Sequence, residues 1–139
     1  MQACDCYVSL HRSEGLGLTM AEAMLLGKPV IATGYSGNLD FMNAGNSLLV
    51  DYELVQLGQA VPPYDAESCW ADPSVEHAAE LMRRVHDDPG LAARLGRRAR
   101  ADLLDLGSSE AAGERIAARL AAIRERAGGH VTPSPVLLP

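Results

Sequence analysis

Two glutamates separated by seven residues are the side chains best suited to chemistry in this sequence. Glu14 opens a segment that contains two glycines, residues 14–19, and Glu22 lies in the first turn of the helix predicted next. The glycines allow the backbone to approach a ligand closely, and the free N–H groups at a helix start favour an anion such as a pyrophosphate. The segment therefore predicts an anion site, and its two carboxylates, which do not share a helical face, would reach different hydroxyl-bearing parts of one ligand.

The same segment also has a structural explanation that uses no ligand. Thr19 and Glu22 have the spacing of a capping box, in which the glutamate satisfies the helix start. Glu14 can be a solvated loop acid, and paired glycines serve tight turns as readily as ligands. From these residues alone both interpretations stay open.

The predicted elements around the segment form a βαβ unit. Residues 6–10 are an apolar run typical of an interior parallel strand, residues 19–26 a helix followed by Gly27 in a left-handed position, and residues 29–33 a second strand. Loop 10–18 joins the first strand to the helix, which is where open α/β sheets bind ligands. His11 and Arg12 flank this loop; Arg12 could add positive charge near phosphates, although solvated side chains are the simpler interpretation.

The rest of the chain is predicted to add short strands and then helices. After a loop at 34–38 come a helical turn at 39–42 and strands at 47–50 and 53–57, with Pro62-Pro63 closing this section. Ser36, Gly37 and Asn38 follow the second strand and could border the same pocket.

Three helices are predicted to follow Trp70. Ser74 caps the first, whose 3, 4, 7 spacing predicts one buried stripe. The second covers residues 89–106 and the third covers 109–126; residues 127–139 are predicted to be a disordered tail. The predicted stripe of the first helix consists of Val75, Ala78, Ala79, Met82 and Val85, and the third helix has Ile116, Leu120 and Ile123 on one side.

Two stretches resemble a known family. They are YVSLHRSEGLGLTMAEAM at residues 7–24 and GKPVIAT at residues 27–33, and they closely resemble the E-x7-E signature of retaining glycosyltransferases of the family 4 type, glycosyltransferases group 1. The likeness extends more loosely through 36–38, 46–50 and 70–73 and covers most of residues 3–125. Leu16 departs from it, since the family usually has phenylalanine there.

The resemblance implies a fold and a ligand. The fold would be α/β, a partial Rossmann-like open parallel sheet followed by C-terminal helices, with residues 1–126 forming the C-terminal part of a GT-B nucleotide-sugar-binding domain. The donor substrate would be a nucleotide-diphosphate sugar, with no cofactor and no metal. By resemblance, the substrate-binding residues are Glu14, Gly15, Leu16, Gly17, Leu18, Thr19 and Glu22, with Arg12, Ser36, Gly37 and Asn38 as further candidates.

Roles within this set are also implied by the family. Glu14 would be catalytic, contacting hydroxyls of the donor sugar and stabilising an oxocarbenium-like transition state. Glu22 would bind the ribose, and the backbone of 15–19 would hold the diphosphate. The glycosyl group would pass with retained configuration to an acceptor that is a glycan, a lipid-linked sugar or a small molecule. The N-terminal acceptor domain is missing from these 139 residues, so we expect the isolated chain to have little or no activity.

Two other classes of function remain open. The chain could be a non-catalytic fragment that binds nucleoside diphosphates and needs a partner, because its open sheet edge is liable to association. It could also belong to a nucleotide-sugar epimerase or phosphorylase, since GT-B architecture hosts several chemistries. The glycine-rich loop joined to the E-x7-E signature favours transfer over both.

Composition excludes several other classes. A net charge of −6, a pI near 5.1 and 4% aromatic residues argue against nucleic acid as a partner. Cys4, Cys6 and Cys69 lack metal or redox spacing and are expected to be buried, reduced thiols. No membrane-spanning run or secretory signal is present, which predicts a cytoplasmic protein, with peripheral membrane association left open for the full-length enzyme.

Overall fold

The computed structural model describes residues 1–126, and the tail predicted at 127–139 lies outside them. The described elements include all five strands up to residue 73 and are helical after it. They are β1 (Tyr7–Ser9), α1 (Leu18–Leu25), β2 (Val30–Thr33), a 3-10 turn (Gly37–Asp40), β3 (Leu48–Val50), β4 (Tyr52–Gln56), β5 (Cys69–Pro73), α2 (Val75–Asp87), α3 (Pro89–Leu106) and α4 (Ser109–Arg126).

A three-stranded parallel sheet forms the centre of the first half. Its order is β1-β2-β3, with Val8 opposite Ile31 and Ala32 opposite Leu49. All four residues of β2 are buried, because helices pack on both faces of this central strand. One helical layer is α1, which buries Met20, Ala23 and Met24. The predicted α/β fold with a parallel sheet and C-terminal helices is confirmed.

The opposite face of the sheet packs against α2 and α3. Ile31, Leu48 and Val50 form one cluster with residues of these helices, including Leu81 and Leu95. Burial of this cluster is the main force that holds the helices to the sheet, since each fully buried aliphatic side chain contributes about 1.5–3 kcal/mol.

An antiparallel hairpin follows the parallel sheet. Its strands β4 and β5 pair from Tyr52 opposite Pro73 to Gln56 opposite Cys69. The strand predicted at 53–57 is therefore present, displaced by one residue, but its partner β5 was not predicted. Only Asp51 separates the end of β3 from the start of the hairpin, so the hairpin begins beside the carboxyl end of the parallel sheet.

The predicted cap of α2 is confirmed, but its predicted buried face needs correction. The Ser74 hydroxyl accepts a hydrogen bond from the N–H of His77 at 3.1 Å. The predicted stripe is partly wrong, because Val75 is 63% exposed and Met82 is 49% exposed. The buried positions are Ala78, Leu81 and Val85, so the buried face is rotated towards Leu81.

The turn between α1 and β2 has the predicted left-handed glycine. Gly27 has φ of 71°, and the N–H groups of Gly27 and Lys28 donate to the carbonyls of Met24 and Ala23. These hydrogen bonds satisfy the end of α1 in the manner of a glycine C-cap. Gly96 of α3 lies directly against the carbonyl group of Gly27.

The chain divides into two compact units, Met1–Leu104 and a second that starts at Asp105. The described part of the second unit is mainly α4, whose Ile116, Leu120 and Ile123 are all exposed. Within residues 1–126, no helix is both long and apolar enough to cross a membrane.

The three cysteines are unpaired but not equally buried. Cys4 and Cys6 are half-buried, whereas Cys69 is exposed, so the expectation of three buried thiols is wrong for Cys69. Burial, with a further contribution from Cys4, raises the pKa of the Cys6 thiol from 9.0 to about 11. Cys6 therefore stays protonated, and weakly nucleophilic, at neutral pH.

Candidate functional site

The three parallel strands end on the same side of the sheet, and the loops that follow them meet there. Residues 10–17 follow β1, and residues 34–36 follow β2. Open α/β sheets bind ligands at this carboxyl end. The structure thus brings the loop with Arg12 and residues 14–17 next to the segment with residues 36–38, whereas Leu18, Thr19 and Glu22 lie in α1 itself.

Direct hydrogen bonds join the two loops. The Ser36 hydroxyl donates to the carbonyl oxygen of Glu14 at 2.6 Å and accepts from the N–H of Glu14 at 3.2 Å. The N–H of Gly37 donates to the same Glu14 carbonyl at 3.1 Å. We call this contact between Glu14-Gly15 and Ser36-Gly37 the loop clasp. It fixes both backbone polar groups of Glu14.

Close packing of the loop clasp restricts which residue types can occupy the positions of Ser36 and Gly37. A side chain on Gly37 would overlap the carbonyl oxygen of Gly15, so this position requires glycine. Ser36 has φ of 80°, a conformation that side chains with a Cβ rarely adopt and that costs on the order of 1–3 kcal/mol. The two hydrogen bonds of the Ser36 hydroxyl offset part of this strain.

Helix α1 begins without a side-chain cap. Its N-cap is Gly17, with φ of 90° and no side-chain hydrogen bond, so the predicted capping box of Thr19 and Glu22 is wrong. The Thr19 hydroxyl instead accepts a hydrogen bond from the Tyr7 hydroxyl at 3.0 Å. Helix starts leave their first N–H groups unpaired, and here those groups are left for solvent or a ligand.

The residues on either side of the buried Gly17, where the loop enters α1, are open to solvent. Leu16 is 50% exposed, Leu18 is 66% exposed, and a Cβ on Gly15 would meet no neighbouring atom. The half-buried Glu14 carboxylate has one long contact, to the N–H of Leu16 at 3.4 Å. Glu22 is exposed and has no polar side-chain partner among residues 1–126. Both carboxylates therefore keep acceptor positions for hydroxyl groups.

Arg12 is held by the hairpin rather than pointing freely into solvent. Its guanidinium lies 2.7 Å from the Asp72 carboxylate and 4.9 Å from the centre of the Trp70 ring. Its carbonyl oxygen also accepts a hydrogen bond from the N–H of Ala71 at 2.9 Å. The hairpin thus anchors the site loop through Arg12, and the Asp72 carboxylate offsets the charge that Arg12 could have offered a phosphate.

Replacement of Arg12 by alanine is expected to loosen the hairpin without unfolding the sheet. The loss combines an exposed ion pair with one cation–π contact, each about 0.5–1 kcal/mol. Trp70 is the single tryptophan, so its emission should shift to longer wavelength. Arg12→Lys should be intermediate, because it keeps the charge but lacks the planar group that stacks. The exposed Arg83→Ala is the control; an unchanged spectrum in Arg12→Ala would contradict the anchoring role.

His11 also makes contacts that the sequence interpretation missed. Expected as a solvated loop residue, it is half-buried, with Nε2 2.9 Å from the Tyr35 carbonyl oxygen and 3.1 Å from Asn38 Oδ1. Asn38 is fully buried and donates from Nδ2 to the Thr33 carbonyl oxygen at 3.1 Å. Asn38 is thus a structural partner of the site loop, and its side chain faces His11.

A cavity of about 530 Å³ lies elsewhere in the first unit. It is lined by residues of β1, α2 and α3, including Val8, Val85 and Ala92, and by none of residues 14–22. This cavity is therefore separate from the candidate site at the carboxyl end of the sheet. Among residues 1–126, no three His, Cys, Asp or Glu side chains are grouped as metal ligands.

Comparison with known proteins gives a family and a structural relative. The sequence profile described as "Glycosyl transferases group 1" matches residues 1–102. The chain is similar in structure to Anabaena Alr3699/HepE, crystallised in complex with UDP and glucose, with a TM-score of 0.60 and 22% sequence identity. The match covers 87% of this chain and 28% of that chain. It shows that the fold is similar to a GT-B glycosyltransferase domain. No curated protein matches the sequence.

Proposed function

The chain belongs to the group 1 family of glycosyl transferases, and from that premise we propose that it is the donor-binding part of a retaining, family 4 type enzyme. Its ligand would be a nucleotide-diphosphate sugar. The observation that carries the proposal is the loop clasp, which holds Glu14 beside the uncapped start of α1. The relative crystallised with UDP and glucose has a similar fold and supports the same ligand class.

The start of α1 suits the charge that develops in glycosyl transfer. When the nucleoside diphosphate departs, negative charge builds on the phosphate oxygens. Of the residues from Gly15 to Thr19, all but the buried Gly17 are exposed, and the N–H groups at the helix start have no side-chain cap. Fixed N–H dipoles stabilise such charge without reorganising. In this proposal these groups bind the diphosphate and no metal takes part.

In this proposal Glu14 binds the sugar of the donor and Glu22 binds its ribose. The Glu14 carboxylate would accept hydrogen bonds from hydroxyls of the sugar and stabilise positive charge on the oxocarbenium-like transition state. Glu22, exposed on α1 one turn beyond the helix start, would accept hydrogen bonds from the ribose. This assignment follows the family pattern, and the accessible carboxylates support it.

The acceptor side of the reaction would come from sequence outside this chain. The alignment with the relative covers only 28% of that protein. We propose that a separate acceptor domain closes the cleft and binds a glycan, a lipid-linked sugar or a small molecule. The isolated chain would then bind donor but transfer little or no sugar. Efficient transfer by these 139 residues alone would contradict this part of the proposal.

Calorimetric titration with UDP, GDP and ADP, and with their glucose conjugates, tests the donor site. For the preferred nucleotide, Glu14→Gln should weaken binding of the sugar conjugate about tenfold and leave the free diphosphate nearly unaffected, because one charge-assisted hydrogen bond is worth roughly 1.5–3 kcal/mol. Glu22→Gln should weaken both ligands, because both contain ribose.

Glu80→Gln is the matched control, since Glu80 is exposed on α2, outside the site. If wild type binds a nucleotide and neither site variant changes its affinity, the assignment of Glu14 and Glu22 is wrong. If no nucleotide binds to the wild-type chain, the proposed donor site is wrong for this chain.

A further inference from the structure

We propose that His11 is the positioning residue that holds Glu14 in place for the donor sugar. The role of Glu14 in this inference rests on the function proposed above, whereas the contacts of His11 do not. His11 lies three residues before Glu14, and its ring bridges the loop after β1 to the loop after β2. It is half-buried and lies among polar groups of both loops.

The hydrogen bonds of the ring fix its tautomer. Asn38 uses Nδ2 to donate to the Thr33 carbonyl oxygen, so Oδ1 is the atom that faces His11. The other partner of His11 Nε2 is the carbonyl oxygen of Tyr35. Both partners are acceptors, so Nε2 must carry the hydrogen. His11 Nδ1 lies 3.2 Å from Ser9 Oγ, a hydroxyl that can donate to it.

These contacts close a ring of interactions around Glu14. Tyr35 and Asn38, the partners of His11, flank Ser36-Gly37, and Ser36-Gly37 holds the N–H and carbonyl of Glu14. The chain from His11 to Glu14 completes the ring. Both ends of this four-residue segment are tied to one loop, and Arg12 between them contacts the hairpin. Loss of the His11 bond therefore leaves the segment attached but removes the tie that fixes its first residue, which loosens the position of Glu14.

Binding of the nucleotide should depend less on this ring of interactions than binding of the sugar does. The start of α1 is held separately, by burial of Met20 and by the hydrogen bond from Tyr7 to Thr19. Displacement of Glu14 therefore removes a contact to the sugar, whereas the N–H groups of Leu18 and Thr19 in α1 stay in place for the diphosphate. A general loss of folding would weaken both ligands by the same factor, which separates the two explanations.

The experiment compares His11→Leu, His11→Gln and the control His86→Leu, which changes an exposed histidine of α2. Calorimetry should show that His11→Leu weakens binding of UDP-glucose about tenfold and binding of UDP less than about threefold. This difference is expected when only the contact to the sugar is displaced. Gln places an amide N–H near the position of Nε2, so His11→Gln should recover most of the affinity. Equal losses for both ligands, or no recovery by glutamine, would overturn the proposal.

Amide hydrogen exchange supplies a readout that needs no ligand. The N–H of Gly37 donates to Glu14 in the loop clasp, so its exchange should be about tenfold faster in His11→Leu and close to wild type in His11→Gln and His86→Leu. If the wild-type chain binds no nucleotide but the variants show this exchange pattern, the proposed function is refuted. The positioning of Glu14 by His11 would still stand. Unchanged exchange at Gly37 in His11→Leu would refute the positioning itself.

Discussion

Replacement of Gly37 by alanine is expected to destabilise the first unit by about 3 kcal/mol, the upper part of the range for overpacking, and to remove donor binding. The added methyl group would overlap the carbonyl oxygen of Gly15, which is backbone and cannot rotate away. Relief requires the two loops to separate, which breaks the hydrogen bonds to the Glu14 carbonyl. Urea denaturation measures the first effect, and calorimetry with the preferred nucleotide sugar measures the second.

Gly15→Ala is the matched stability control for this substitution. Gly15 lies in the same clasp, but a methyl group there would meet no atom within 4 Å, so stability should change by less than about 1 kcal/mol. Gly37→Ala with wild-type stability and wild-type donor binding would show that the clasp is not required. A stability loss that leaves donor affinity unchanged in the folded protein would separate the clasp from the site.

The local elements were predictable because their signals lie within a few residues. Gly27 and Pro29 bracket the boundary between α1 and β2, and the predicted limits differ from the observed ones by one residue. The limits of α3 and α4 were predicted correctly, since Pro89 can start a helix and residues 107–108 interrupt it. In these places local sequence alone decides the structure.

Elements that depend on distant partners were not predictable in the same way. Strand β5 has a weak sequence signal because Ala71, Asp72 and Pro73 disfavour strands. It forms where Leu54 and Ala71 pair across the hairpin. The capping box failed because Gly17 adopts a left-handed conformation and Tyr7 takes the Thr19 hydroxyl. In both cases tertiary contacts overrode a reasonable local pattern.

The candidate site likewise combines a position that the sequence predicts with contacts that it does not predict. The position of Glu14 at the carboxyl end of the sheet followed from the order of strand, loop and helix. The contacts of its neighbours did not, because His11 bonds residues 24 and 27 positions away and Arg12 pairs with Asp72. Sequence order predicts where a loop lies, but the side chains that hold it come from segments that only folding brings together.

Replacement of Gly96 by alanine is expected to destabilise the first unit by about 2–3 kcal/mol, although alanine is the better helix former by about 1 kcal/mol. The methyl group would overlap the carbonyl oxygen of Gly27, where α3 crosses the turn between α1 and β2. Gly27 has φ of 71° and closes α1, so that carbonyl is held in place. Thermal and urea denaturation should both show the loss.

Helix α3 has little freedom to move away from the added methyl group. Arg100 donates from Nε to the Leu25 carbonyl oxygen at 3.1 Å, and Asn46 donates to Asp102 at 2.9 Å. These two hydrogen bonds hold the part of α3 that follows Gly96. Gly113→Ala in α4 is the matched helical control: a methyl group there meets open space, and helix propensity alone should make that variant neutral or more stable. If Gly96→Ala were stabilised to the same degree as Gly113→Ala, close packing of α3 on the Gly27 turn would not be required for the fold. Because β2 follows this turn directly, the expected loss should also increase amide exchange in the strand that leads to the Ser36 loop.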